Sequence, residues 1–194
     1  MRGARAAAVT WIAVLGCLLL ASCRGSSGHS GSPAVGPAPV PSGFQVSDTP
    51  YWHLAYPSGW TTDETTPEGE HNFNMRGPHV TPLARCFAFA GWTTQGPPDM
   101  VAVARALLVI AGPDQQIITN ETFSAPGAKL ALRIERIYTD RAANGSPIRL
   151  HAYELHFRRT DNVTVVLGVA APADHEAECQ AQQIVQSFTL KPAA

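Results

Sequence analysis

Three stretches in the second half of the chain restrict the fold more than any other feature. Ala128 to Tyr138 alternates, with Leu130, Leu132 and Ile134 on one side and Arg133 and Glu135 on the other. Ile148 to Arg158 and Val163 to Ala170 follow, with apolar residues on both faces. A period of two is the mark of a strand. The connections are short: Asp140 to Pro147 holds Asn144-Gly145, a hairpin signal, and Thr160-Asp161-Asn162 joins the last pair. Long strands joined by such turns run antiparallel, because a parallel pair needs a long crossover.

The first half adds strands and one helix. Trp52-His53-Leu54-Ala55-Tyr56 alternates, Pro57-Ser58-Gly59 turns the chain, and Asp63 to Gly69 is acidic and polar, the composition of a solvated loop. His71 to Arg76 is a second strand. Cys86 to Trp92 is a clearer one, with Phe87 and Phe89 on one face and Cys86, Ala88 and Ala90 on the other. Pro97-Pro98-Asp99 opens a helix and Gly112-Pro113 closes it; between them only Arg105 is charged, so the helix is apolar nearly all round. Gln116 to Thr119 and Thr122 to Phe123 are short strand-like pieces. Pro172-Ala173-Asp174 caps a last helix that runs through Phe188, with Ala177, Ala181, Ile184 and Phe188 on one face. Strands, a helix, a meander of strands and a helix make an α+β domain in which helices cover a largely antiparallel sheet.

The N-terminus has a different character. Arg2 and Arg5 precede a short apolar run that ends in Leu20-Ala21-Ser22-Cys23. That is a secretory signal (residues 1–22) followed by a lipobox, whose cysteine takes a diacylglycerol and becomes the mature terminus. The apolar run is shorter than the roughly 20 residues a membrane-spanning helix needs. An ordinary cleaved signal is the rival reading. Residues 23–43 read as a lipidated cysteine and a Gly/Ser/Pro-rich tether, too poor in apolar residues to fold. Residues 44–194 then form one domain. The expected location is the extracytoplasmic face of the cell membrane, with lipid on Cys23 as the link to it. Loss of Arg2 and Arg5 takes the formal charge from −1 to −3. A weakly acidic chain without a basic run excludes nucleic acid as the expected partner. Cys17 leaves with the signal, which leaves Cys86 and Cys179; in an exported protein a disulfide between them is the default. Against it, on a continuous helix Cys179 stands nearly opposite the Ala177/Ala181/Ile184/Phe188 stripe.

Tyr56-Pro57-Ser58-Gly59-Trp60, the late long strands and a closing helix that ends Ile184-Val185-Gln186-Ser187-Phe188 look like the PsbP-like fold. With the lipobox and the Pro-rich tether, the chain resembles the LpqN-type lipoproteins of actinobacteria from about Phe44 to Leu190. The resemblance implies an α/β/α sandwich around an antiparallel sheet. It also implies an accessory or binding role at the cell envelope, usually without catalysis. It carries no functional residues onto this chain, and the Cys86/Cys179 pair departs from what it leads one to expect.

No nucleophile elbow, zinc-protease, C-x-x-C, phosphate-loop or dinucleotide motif is present, so no cofactor, metal ligand or catalytic residue is assigned. His71 and His79, near Glu68 and Glu70, match no closed zinc spacing. His151 and His156 lie five apart on one strand and point to opposite faces. His175, Glu176 and Glu178 sit in a first helical turn, where the acids suit the helix dipole. Two function classes remain. One is a lipid-anchored binding or accessory domain for an amphiphile or an envelope protein. The other is an exported hydrolase whose site is assembled from distant residues, since triads are recognised by geometry. For the first, the expected ligand lining is the apolar helix, through Val103, Leu107, Leu108 and Ile110, unless that helix is simply buried between layers.

The Leu20-Ala21-Ser22-Cys23 box makes Cys23 the lipidation site. Cys23→Ser is expected to release the protein from membranes or leave it unprocessed. Membrane fractionation and gel migration check this, and a variant that behaves like the parent protein on both counts removes the assignment.

Overall fold

The computed structural model has ten strands among the described residues, which are 39–96, 99, 102, 114–142 and 144–194; three of them, at Phe44–Asp48, Thr61–Thr65 and Thr189–Leu190, lie outside the alternating stretches. The signal, Cys23, most of the tether and the apolar helix with Val103, Leu107, Leu108 and Ile110 lie outside the described residues. At the start of that helix, Asp99 Oδ1 accepts a hydrogen bond from the Ala102 N–H at 3.0 Å, the bond an N-cap makes. The described residues fall in one compact unit, Val35–Ala194.

The strands are β1 (Phe44–Asp48), β2 (Trp52–Pro57), β3 (Thr61–Thr65), β4 (Glu70–His79), β5 (Arg85–Thr93), β6 (Gln116–Phe123), β7 (Ala128–Arg141), β8 (Pro147–Arg159), β9 (Thr164–Pro172) and β10 (Thr189–Leu190). Two helices, α1 (Glu176–Cys179) and α2 (Ala181–Ser187), lie between β9 and β10. One sheet has the order β3-β4-β5-β9-β8-β7-β6 and the other β1-β2-β10. Every pairing is antiparallel, as the short turns require. The α+β class therefore holds. One face of the large sheet is covered by β2 and α2; the expected helix of 98–111, which the α/β/α sandwich needs for its second layer, lies largely outside the described residues.

Alternation decides which side chains enter the core. On the covered face lie Phe73 and Met75 of β4, Cys86, Ala88 and Ala90 of β5, Val165, Leu167 and Val169 of β9, and Leu155 and Phe157 of β8, all buried. Trp52, Leu54 and Tyr56 of β2 and Ile184 of α2 meet them from the other side. Trp60 closes one end and is the reason for Gly77: a Cβ there would lie 2.6 Å from the indole and 2.7 Å from Cys86 Cβ. The Tyr56–Trp60 segment is thus a structural turn. Ser58 donates its backbone N–H to Gly43 O, Trp60 donates to Pro57 O, and the indole packs inward. Ser187 extends the β2 ladder where the two residues of β10 stop. Its hydroxyl lies 3.0 Å from Ala55 N and 2.9 Å from Ala55 O, accepting from the first and donating to the second.

Four expectations are corrected. Asp63 to Gly69 is not all loop: Thr61–Thr65 is an edge strand, and exposure of all five residues leaves no apolar alternation to read. The pieces at 116–119 and 122–123 are one strand with a bulge between Ile117 and Thr119. The last helix is capped by His175 rather than Asp174. It is also not continuous, because Gln180 adopts a left-handed conformation with φ of 52° and breaks it. That break removes the objection to the disulfide. Cys179 ends α1 instead of riding on the outer side of a single helix, so it turns inward and bonds to Cys86 with both residues fully buried.

The bond closes a loop with a sequence separation of 93 residues and pins α1 to the middle of the sheet. Restricting the unfolded chain this way is worth about 2–4 kcal/mol. The Cys86→Ala/Cys179→Ala double variant is expected to lose that much in urea unfolding. Neither thiol should alkylate in the unfolded, unreduced parent protein.

Candidate functional site

The cover on the large sheet stops before β6, and a groove opens there. Its floor follows from register. One row across the sheet is Phe123, Ala131 and Phe157; the next is Glu121, Arg133 and Leu155. Its other wall is the exit of α2. Phe188 leaves the helix in an extended conformation, with φ of −72° and ψ of 128°, and starts the turn into β10. Phe188 stacks on Phe157 with ring centroids 5.4 Å apart, and Phe123 meets Phe157 edge-on at 5.8 Å. Val185 and Leu190 complete a mainly apolar space of about 730 Å³. At one end Pro192 packs on Gly127. That residue has φ of +78°, and a Cβ there would fall 2.6 Å from Pro192 Cα, so glycine is required. At the other end Arg133 pairs with Glu121, both side chains about half exposed.

Further along the same face the floor becomes polar. His151 Nε2 lies 3.0 Å from Glu135 and Nδ1 lies 2.6 Å from Glu176 of α1. Tyr153 donates to the second oxygen of Glu176 and accepts from Gln182 of α2. Burial, and then the hydrogen bond to Glu176, holds the Tyr153 hydroxyl well above the ordinary tyrosine range. This cluster ties both helices to the sheet.

The opposite face carries a separate ionic group. Arg136 donates to Glu154 Oε1 at 3.0 and 2.7 Å and to Gln115 at 2.9 Å, and its guanidinium lies 4.5 Å from the Tyr138 ring centre. His156 Nε2 lies 3.2 Å from Glu154 Oε2. His151 and His156 thus do point to opposite faces, His151 to Glu135 and Glu176 and His156 to Glu154. Burial alone would raise the Glu154 carboxyl, but the His156 hydrogen bond and the Arg136 charge outweigh it and hold it below the usual range.

Among the described residues, no three His, Cys, Asp or Glu side chains converge as a metal site. His71 sits between Trp52 and Trp92, with Glu64 and the Thr66 hydroxyl each 3.3 Å from its ring nitrogens. A histidine does meet a hydroxyl and a carboxylate here, but both contacts are long and none of the larger grooves among the described residues is lined by Thr66 or His71. His175 pairs with Glu178, and His79 is exposed. Sequence reasoning missed the groove residues because they come from five separate elements, β6, β7, β8, α2 and β10. The only signal was an apolar Phe123, Phe157 and Phe188 in otherwise mixed segments.

No family model and no curated protein matches the chain. Solved structures similar to it include a Pseudomonas aeruginosa protein of unknown function described as a putative regulator, at 14% identity over 77% of this chain and 99% of that one, with a TM-score of 0.46. LpqN of Mycobacterium tuberculosis, described as involved in cell envelope biogenesis, is 16% identical over 77% of this chain and 92% of its own, with a TM-score of 0.48. The Saccharomyces cerevisiae Ran-binding protein Mog1p is 13% identical over 73% and 90%, with a TM-score of 0.42. Likeness at this level brings no residue, ligand or partner from those proteins to this chain.

Because Glu154 is held below its unfolded value, its contribution to stability is present above the unfolded carboxylate range and fades as pH falls through the folded value. Glu154→Gln is therefore expected to destabilise most near neutral pH, by about 1–3 kcal/mol, with the gap to the parent protein closing in acid. Urea unfolding across pH 3 to 7 (on the order of a carboxylate's titration range) checks it; a gap that does not change with pH contradicts it.

Proposed function

We propose that the chain is a lipid-anchored cell-envelope protein whose domain binds an apolar or amphiphilic ligand without catalysing a reaction. The anchor is the lipid on Cys23, and the side of action is extracytoplasmic. The observation that carries the binding reading is the groove between β6–β8 and the α2–β10 exit. Its volume of about 730 Å³ lies inside the ~300–1,000 Å³ typical of small-molecule sites. Its lining also has the usual character of such sites, aromatic and aliphatic with a few polar groups at the rim. The lipobox motivates the setting, since an anchored domain meets amphiphiles at the bilayer surface. The site differs from the one the sequence suggested, which rests on Val103, Leu107, Leu108 and Ile110.

A hydrolase is the weaker reading. Among the described residues, the hydroxyl beside His151 is that of Tyr153, which gives its proton to Glu176 and not to the histidine, and His156 on the opposite face bonds to Glu154.

Lipid mass spectrometry of the protein purified from membranes tests the proposal. Retained envelope lipid is expected. Phe123→Glu, at a position already 39% exposed, should cut retention by roughly tenfold, the worth of one apolar side chain contact, without moving the unfolding midpoint. A chain that retains no lipid leaves the groove as a surface for an envelope protein instead.

A further inference from the structure

Charge is distributed unevenly in the groove. Among the described residues that line it, Arg133 is the one cation and Glu121 the one acid. Arg133 stands in the row next to the aromatic end: Glu121, Arg133 and Leu155 lie side by side, and Phe123, Ala131 and Phe157 lie two residues away along their strands. That step is about 7 Å. The Arg133 backbone thus stands about 7 Å from the Phe123–Ala131–Phe157 row that begins an apolar trough ending against Phe188 and Pro192.

Glu121 uses little of what Arg133 offers. Its Oε1 takes one Nη2–H, and this is the hydrogen bond Arg133 makes among the described residues. A guanidinium carries five donors in a planar fork suited to carboxylate and phosphate. The pair is also half exposed on both sides, at 52% and 53% of side-chain surface. Ion pairs so exposed contribute little and are readily exchanged. The next acid along the face, Glu135, is engaged by His151 and does not compete for Arg133.

We infer that the groove takes a single-chain amphiphile with an anionic head, a carboxylate or a phosphate, which displaces Glu121 from Arg133 while its chain lies over Leu155 toward Phe157 and Phe188. This rests on the binding reading above and adds the head group. Charge-assisted bonds to the fork favour an anion over a neutral head of the same chain. Glu121 acts as a placeholder that keeps Arg133 oriented when the groove is empty and weakens anion binding by competition. The two members of one ion pair therefore have opposite effects, which a purely structural pair would not.

The test uses the full chain, with Cys23→Ser in every version so that no attached lipid competes, and titrates oleate, oleyl alcohol and 1-oleoyl lysophosphatidate by calorimetry. The parent version is expected to prefer both anions over the alcohol, with the preference shrinking at high salt. Arg133→Gln should reduce the affinity for the anions by roughly tenfold, the size of a charge-assisted hydrogen bond, and leave the alcohol unchanged. Glu121→Gln should raise anion affinity. Tighter binding of lysophosphatidate than oleate assigns the head as phosphate, and the reverse as carboxylate. If the alcohol binds as well as the anions, or if both variants move all three ligands alike, the anionic head is wrong and the groove reading stands. If none of the three binds, the groove reading falls and takes this inference with it.

Discussion

The covered face of the seven-stranded sheet is the constraint on which everything else rests. Met75, Ala88, Leu167 and Val165 lie on central strands with no exposure at all. A sheet face so apolar is stable only beneath a second layer. The chain supplies that layer from its two ends, β1–β2 from the start and α2–β10 from the finish, joined as one small sheet. Trp52, Leu54 and Ile184 are its fully buried contacts, each worth about 1.5–3 kcal/mol of transfer from water. The Ser187 hydroxyl on Ala55 and the Cys86–Cys179 bond keep the late elements in register with the early ones.

That cover is narrower than the sheet, and the groove is the consequence. β2 and α2 sit over β4, β5, β9 and the near part of β8, and β6 receives no such layer among the described residues. Phe123 is left 39% exposed beside buried Phe157, and the extended exit of Phe188 forms a wall in place of a lid. In a closed core the same side chains would pack against each other with almost no void. The space is therefore a product of where α2 stops, and what stops α2 is the extended backbone of Phe188.

Ionic groups are divided between the faces by strand parity. On β8, His151 and Tyr153 share the covered face with Glu135 and Glu176, and Glu154 and His156 share the other with Arg136. Each of these half-buried acids has a positive or hydrogen-bonding partner, as partial burial of charge demands. The half-exposed Arg133–Glu121 pair is held less tightly because water still reaches it, and it lies at the mouth of the groove.

The amino-acid sequence set strands β2, β4, β5, β7, β8 and β9 and, for the late meander β7–β9, the antiparallel sense. Phe87 and Phe89 opposite Cys86, Ala88 and Ala90, or Leu132 and Ile134 opposite Arg133, follow from a period of two that no tertiary contact can change. It also marked the turn at Asn144-Gly145, where Gly145 has φ of +83°. Tertiary structure decided what local periodicity does not encode. Thr61–Thr65 became a strand because β4 offers it an edge, not because its side chains alternate. Gln180, in the left-handed region, broke a helix whose spacing looked continuous, and Cys179 before the break and Ile184 after it are both buried. Chain order and short turns place β6, β7 and β8 side by side, but no local spacing sets Phe188 of the α2–β10 exit against Phe157; that depends on which face of the sheet the late helix buries.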